Sequence, residues 1–242
     1  MQPEIIRLTA RQLLTRGKLL VLVGLGALPA LLALLYSFSD SRVDPETFLI
    51  RMYTNFVLAV VVPVTALVFA AAALGSEMED GTIVYLLLKP LPRWQIVLNK
   101  LIPTAAIIGV FVMISIYATA LVLDRGVGEA HVAFAFTLAA VLGGAAYAAM
   151  FTLLGAITSR ALIAGLLYVF IWEGLLTGLF QGARNWSVRE YMNGIADAFS
   201  TLPLDVFDAQ LSGTRALISC IAVIVLFAGL SVHRLRTLNM AG

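Results

Sequence analysis

Six long apolar runs, almost free of charge, limit this chain to folds that a membrane can contain. They lie at about residues 19–36, 54–75, 101–123, 132–157, 162–180 and 215–232. The only charged residues inside them are Glu173 and, at the start of the last run, Arg215. A helix needs about 20 apolar residues to cross the hydrocarbon core. The runs therefore predict six transmembrane helices.

The composition excludes an ordinary soluble protein. Of the 242 residues, 61% are hydrophobic and 12% are charged, whereas about a quarter of a soluble protein is charged. A helix in a soluble core would also carry a polar stripe, which these runs lack. We therefore predict an all-α integral membrane protein with one transmembrane domain over residues 1–242. The single cysteine, Cys220, can form no disulfide within the chain.

The distribution of Lys and Arg predicts a cytoplasmic N-terminus. In that orientation ten of the 16 basic residues lie on the cytoplasmic side, and six spans return the C-terminus to it. Within residues 1–18, Arg7, Arg11 and Lys18 share one helical face, which predicts an interfacial helix along the membrane. The alternative to this helix is a first span that simply continues into the cytoplasm with a basic flank. For the first apolar run itself, the alternative is a cleaved signal peptide.

Residues 76–100 form the longest predicted cytoplasmic loop and interrupt the apolar pattern. The loop has an acidic group, a flexible turn, a helix cap and a pair of prolines. These are Glu77, Glu79 and Asp80, then Gly81, then Thr82, and finally Pro90 and Pro92. The short helix between cap and prolines has the apolar body IVYLLL, which predicts docking into a protein groove. The alternative is a re-entrant or interfacial turn that only connects two spans.

Eight residues in this region stand in a characteristic order: Glu77, Gly81, Thr82, Leu86, Leu87, Pro90, Arg93 and Lys100. This order resembles the cytoplasmic signature of type-2 permease subunits of ATP-binding-cassette (ABC) exporters. The six-span layout, the N-terminal helix and the long external segment before the last span resemble that family over nearly the whole chain. The resemblance implies a multi-pass permease of the cell membrane that forms the substrate pathway as a homodimer or heterodimer.

The resemblance also implies that the loop is a coupling helix, inserted in a cleft of a separate ATPase subunit that binds ATP and Mg²⁺. Tyr85, Leu86 and Leu87 would supply its buried anchor. Charged residues at the rim would orient the contact. These are Glu77, Glu79, Asp80 and Arg93, and the helix between them is shaped by Gly81, Thr82 and Pro90.

The sequence contains no catalytic or cofactor-binding motif of its own. There is no G-x-x-x-x-G-K-[ST] phosphate loop, and the glycines of GLGALPA lie inside a predicted span. His131 and His233 fall on opposite sides of the predicted membrane, and neither H-E-x-x-H nor G-x-S-x-G occurs. We therefore expect a non-enzyme without a metal or cofactor, which depends on a partner ATPase and contacts lipid but no nucleic acid.

Glu173, in YVFIWEGLLTG, is the one acidic residue well inside a predicted span. Ionisable groups there are costly, which makes Glu173 a candidate for the transport path. The alternative is an acid that anchors helix packing or stays protonated. A second functional hypothesis is an ion-coupled secondary transporter in which Glu173 exchanges a proton, although the two halves show no repeat of the kind such carriers have. A membrane-embedded enzyme is the third, and it lacks a catalytic constellation.

Residues 181–214 are predicted to be external and to contain an amphipathic helix. Ser187 and Glu190 form a capping-box pattern. Apolar residues then recur at helical spacing: Val188, Tyr191, Met192, Ile195 and Phe199. We expect this helix to cover the exit side of the pathway or to brace the membrane surface.

Small residues indicate where helices approach closely. Gly174 and Gly178 form a G-x-x-x-G pair, and GGAAYAA at 143–149 gives the fourth span a smooth strip. Either motif fits packing within one subunit or between two. An apolar interior suits a lipid or a hydrophobic drug, but the bilayer demands the same residues, so the substrate class stays open.

Overall fold

A computed structural model describes residues 16–39, 43–79, 92–123, 130–200, 207 and 209–237. Within these ranges the protein is helical and contains no strand. The interfacial helix predicted over residues 1–18 lies almost wholly outside the described residues. The prediction of an all-α fold is confirmed for the part of the chain that is described.

The described residues form ten α-helices and two π-helical segments. In chain order they are α1 (Arg16–Ser37), α2 (Pro45–Met52), π1 (Tyr53–Val61), α3 (Val62–Glu79), α4 (Arg93–Leu123), α5 (Ala130–Ile157), α6 (Ala161–Leu167), π2 (Tyr168–Leu176), α7 (Thr177–Leu179), α8 (Gln181–Arg184), α9 (Val188–Phe199) and α10 (Gly213–Thr237). The segments α2, π1 and α3 follow one another without a break, as do α6, π2 and α7.

Five continuous helices are long and apolar enough to cross a membrane. They are Pro45–Ala73, Arg93–Leu123, His131–Ile157, Ala161–Leu179 and Gly213–Thr237. The first predicted span coincides with α1, whose apolar part, Leu22–Ser37, is a shorter helix. Every predicted apolar run therefore coincides with a helix.

Two helices begin well before the apolar runs that predicted them. The second starts at Pro45, because the Asp44 side chain caps it by accepting a hydrogen bond from the Glu46 N–H at 3.1 Å. The third starts at Arg93, within the loop predicted over 76–100. Hydropathy marks the membrane-embedded part of a helix, and both of these helices extend beyond it.

Helix α5 is the centre of the bundle, and α3, α4, α9 and α10 all pack against it. Its glycines permit close approach. A Cβ on Gly155 would stand 2.8 Å from the Ala71 carbonyl oxygen, and one on Gly144 would stand 3.0 Å from Ile108. The smooth strip predicted on this span is thus a packing surface within the subunit. The Gly178 position is different, because a Cβ there would meet nothing within 4 Å in the described part of the chain.

Helix α9 lies inside the bundle, not across its end. Met192 lies against Gly143, which is midway along α5, and Gly194 lies against Ala216 near the start of α10. Most of its side chains are buried, although Phe199, predicted to share the apolar face, is 53% exposed. An amphipathic pattern requires an apolar neighbour but does not say whether that neighbour is lipid or protein. Helix α9 is therefore inserted among the helices of the bundle, and its role in covering the exit side or bracing the membrane surface stays a prediction.

The chain reaches the start of α9 by turning back alongside the fifth predicted span. The Trp172 indole N–H donates to the Trp186 carbonyl at 3.3 Å, and the Arg184 Nε–H donates to the Thr177 carbonyl at 2.9 Å. These bonds hold the stretch from Phe180 to Ser187 next to π2 and α7. Residues 180–199 thus turn back into the bundle, and we call this segment the re-entrant hairpin. At membrane depth, protein groups must satisfy its backbone.

Candidate functional site

Most of the predicted ATPase-coupling residues lie outside the described residues. These are Asp80, Gly81, Thr82, Tyr85, Leu86, Leu87 and Pro90. Glu77 and Glu79 belong to the last turn of α3, and Arg93 is the half-buried first residue of α4. Helices α3 and α4, which border the loop, pack against each other. The coupling role of these residues stays a prediction.

The same end of the bundle contains a buried cation. Lys100 and its neighbour Asn99 are each 1% exposed, and the Thr104 hydroxyl donates to the Lys100 carbonyl at 2.7 Å. The sequence placed Lys100 at the end of the loop, whereas it lies two turns inside α4. A buried ammonium in a membrane helix is costly unless polar groups compensate it. Lys100 and Asn99 therefore form a buried polar pair at this end of α4.

Glu173 is the centre of a second polar group, and it is 3% exposed within π2. Its Oε1 accepts hydrogen bonds from the Tyr168 hydroxyl and from the Val188 main-chain N–H, each at 3.0 Å. Its Oε2 accepts a hydrogen bond from the Ser187 hydroxyl. A π-helix bonds residues five apart, so Tyr168 and Glu173 stand on one face. The carboxyl thus joins the fifth predicted span to the start of α9.

Ser187 completes the cap of α9. Its Oγ accepts a hydrogen bond from the Glu190 N–H at 3.2 Å, which confirms the predicted N-cap. The reciprocal half of the capping box does not form, because the Ser187 N–H donates to the Arg184 carbonyl at 3.1 Å. The first N–H groups of a helix have no acceptor in their own helix. Here Glu173 and Ser187 each satisfy one of them.

A second link ties the same turn of α9 to π1. The Arg189 guanidinium donates to the Asn55 Oδ1 at 3.1 Å, and the Asn55 amide donates to the Arg51 carbonyl at 3.1 Å. Near this turn the Tyr191 hydroxyl donates to the Asn185 carbonyl at 2.7 Å. Each of the two π-helical segments therefore supplies one polar side chain to the beginning of α9.

The neighbouring carboxyl, Glu190, has a different environment. Its carboxyl takes no part in the cap of α9, because the Ser187 N–H, which a capping box would direct to this carboxyl, donates to the Arg184 carbonyl.

The sequence indicated Glu173 and Ser187 separately but not their contact. Asn55 and Tyr168 were not singled out, although Asn55 is an amide within an apolar run and Tyr168 precedes Glu173 by one π-helical repeat. Contact between Glu173 and Ser187 requires the chain to reverse near Phe180, which no strong turn motif announces. Among the described residues, no group of three or more His, Cys, Asp or Glu side chains could hold a metal ion.

Comparison with known families identifies a match over nearly the whole chain. A family model described as "ABC-2 family transporter protein" matches residues 5–238. The matched region includes the predicted coupling loop, both π-helical segments and α9. No curated protein sequence matches the chain.

Proposed function

Because this chain belongs to the ABC-2 transporter family, we propose that it is the transmembrane subunit of an ATP-driven exporter. Family membership makes it a multi-pass membrane subunit of an ABC transporter. The proposal adds the export direction, a pathway formed by two such subunits, and separate ATPase subunits that bind ATP and Mg²⁺. The observation that carries it is the family match over residues 5–238. That match does not favour an ion-coupled carrier built on Glu173.

The proposed topology has six spans with both termini in the cytoplasm. Helix α1 is the first span, and its apolar run at residues 19–36 gives a length of about 27 Å, close to a hydrocarbon core of about 30 Å. The excess of Lys and Arg at the chosen face supports this orientation. It places the loop between α3 and α4 in the cytoplasm and opens the re-entrant hairpin to the outside.

Energy transfer is assigned to the loop between α3 and α4. The anchor residues are Tyr85, Leu86 and Leu87, whose burial in an ATPase cleft would supply most of the contact energy. The charged residues at either end set the orientation. Two of them, Glu79 and Arg93, border the last turn of α3 and the first turn of α4. Movement of the cleft would therefore act on two helices that pack against α5.

A second copy of the permease is assigned to the poorly covered side of the bundle. Outward residues of π2 and α10 are exposed, including Phe170 at 61% and Val225 at 67%. Gly174 and Gly178 lie on the fifth predicted span, as Phe170 does. A Cβ on either glycine would meet no other helix in the described part of the chain. Small residues at such a place permit close approach of a second subunit. Lipid covers what the second subunit does not.

Glu173 is assigned to the transport path through the hairpin. Its carboxyl is buried and holds the start of α9. We therefore propose that Glu173 acts on the transport path by fixing the position of that helix. A pathway that opens to the outside would pass the hairpin, since α9 packs between α5 and α10.

The proposal is tested with the purified chain alone and with a candidate ABC ATPase. Alone, the chain should hydrolyse no ATP, because its sequence lacks a phosphate loop. Co-expression should yield a stable complex that hydrolyses ATP in lipid vesicles, and an ATPase variant without its phosphate-loop lysine is the control. ATP hydrolysis by the isolated chain that persists after repeated purification would contradict the proposal.

A further inference from the structure

The first turn of α9 needs hydrogen-bond acceptors at a depth where water is scarce. Its Met192 lies level with the midpoint of α5. An unsatisfied N–H group at membrane depth is costly, because no water replaces the missing acceptor. Of the N–H groups in this turn, that of Val188 donates to Glu173 and that of Glu190 donates to Ser187. The inserted position of α9 is therefore possible only with groups that cap it.

The hydrogen bonds around Glu173 have one consistent direction. The Val188 N–H can only donate. The Ser187 hydroxyl already accepts from Glu190, and its own hydrogen is directed to Glu173. The Tyr168 hydroxyl supplies a third donor. The Glu173 carboxyl acts as an acceptor in all three bonds, and it faces the positive end of α9.

We propose that Glu173 is a positioning residue that attaches α9 to the fifth span by capping its first turn from another helix. The cap differs from an ordinary N-cap because the acceptor lies 15 residues before the N–H that it binds and belongs to a different helix. The bond between Arg189 and Asn55 fixes the same turn to π1. If the fifth span tilts during transport, the attachment makes α9 move with it. This consequence rests on the proposed function.

The position of α9 is measured by the reactivity of a buried reporter. Ala196 is fully buried on α9. The chain with Ala196→Cys and with Cys220→Ala, which removes the native thiol, is expressed at full length. Opened membranes, with both faces accessible, are treated with a water-soluble maleimide. The reporter thiol should react slowly while α9 stays in place. Glu173→Gln keeps one acceptor oxygen, but its amide nitrogen would replace Oε2, which accepts from Ser187. The variant therefore loses the Ser187 hydrogen bond, and labelling should accelerate about tenfold to a hundredfold, the factor expected when one buried hydrogen-bond partner is lost.

The matched control is Glu190→Gln, which makes the same chemical change on α9 itself. It should leave the labelling rate within about twofold of the parent, because Glu190 does not cap the helix. Ser187→Ala should also accelerate labelling. The double variant with Glu173→Gln should be accelerated by less than the product of the two single factors, since both substitutions act on one turn. Equal, slow labelling in folded Glu173→Gln and Ser187→Ala protein would overturn the proposal, with folding judged by gel filtration.

A second arm separates the cap from the transport function. In vesicles with the partner ATPase, Glu173→Gln should lower the substrate transported per ATP hydrolysed, with little change in ATP turnover. Faster labelling with unchanged transport per ATP would overturn the claim that the attachment serves transport. If the parent chain forms a complex with no ABC ATPase, the proposed function fails, and the labelling result still decides whether Glu173 attaches α9.

Discussion

At the scale of single residues, Glu173 is instructive because a buried carboxyl in a membrane span is expensive. Three donors surround it, and one of them belongs to the main chain at the positive end of a helix. Removing one partner of a buried charged group costs more than an average hydrogen bond contributes, since the remaining group stays desolvated. The group around Glu173 should therefore respond sharply to the loss of any one donor.

Ser187 provides the clearest residue-scale prediction. Ser187→Ala removes an N-cap and also leaves Glu173 short of one donor, so we expect a loss of about 2 kcal/mol in the free energy of unfolding. Ser200→Ala is the control at the other end of α9, because that hydroxyl only donates to the Ala196 carbonyl. Its effect should stay within about 0.5 kcal/mol. Unfolding in detergent measures both, and equal stability of the two variants would contradict the double role of Ser187.

At the scale of elements, the packing of α3 on α5 depends on glycine. Gly155→Ala would place a Cβ 2.8 Å from the Ala71 carbonyl oxygen and 3.2 Å from the Gly75 nitrogen. These are main-chain atoms, so the helices themselves must separate, and we expect a cost of about 1–3 kcal/mol. The measurement is the thermal midpoint of the detergent-solubilised protein.

Gly229→Ala is the matched control for that substitution. Gly229 lies in the middle of α10, and a Cβ there meets nothing within 4 Å in the described part of the chain. The alanine should leave stability unchanged or raise it by up to about 1 kcal/mol through helix propensity. A lower thermal midpoint for Gly229→Ala than for Gly155→Ala would show that contact between α3 and α5 is not the deciding factor.

Some helices could be predicted from the sequence, and others could not. Apolar runs predicted all the long helices, because a span must exclude charge over its whole length. The two π-helical segments could not be predicted. A change from main-chain hydrogen bonds that span four residues to bonds that span five leaves the amino-acid composition unchanged. The position of α9 could not be predicted either, because its apolar face packs on protein and the same sequence pattern would fit contact with lipid. The contact of Glu173 with Ser187 depends on that position, so it could not be predicted from the sequence.

At the scale of the whole molecule, α5 connects the two polar regions. Helices α3 and α4, which border the predicted coupling loop, pack on α5, and α9 packs on it as well. A displacement imposed at the loop therefore has a path of packed helices to the hairpin. Close packing transmits such displacements because cores have few voids that absorb them.

The last prediction concerns the coupling loop itself. If Leu86 and Leu87 are anchors in an ATPase cleft, Leu86→Asp or Leu87→Asp buries an uncompensated charge at the contact and should abolish complex formation, with the membrane domain still folded. Leu238→Asp makes the same change in the C-terminal tail, on the same side of the proposed topology, and should leave the complex intact. Charge reversal at Glu79 or Arg93 should weaken coupling more mildly, because rim charges are partly solvated. Co-purification of the ATPase with well-folded variants decides the matter: undiminished binding with Asp at either position contradicts a coupling helix, and loss of folded protein in both would indicate a connector packed on its own membrane domain.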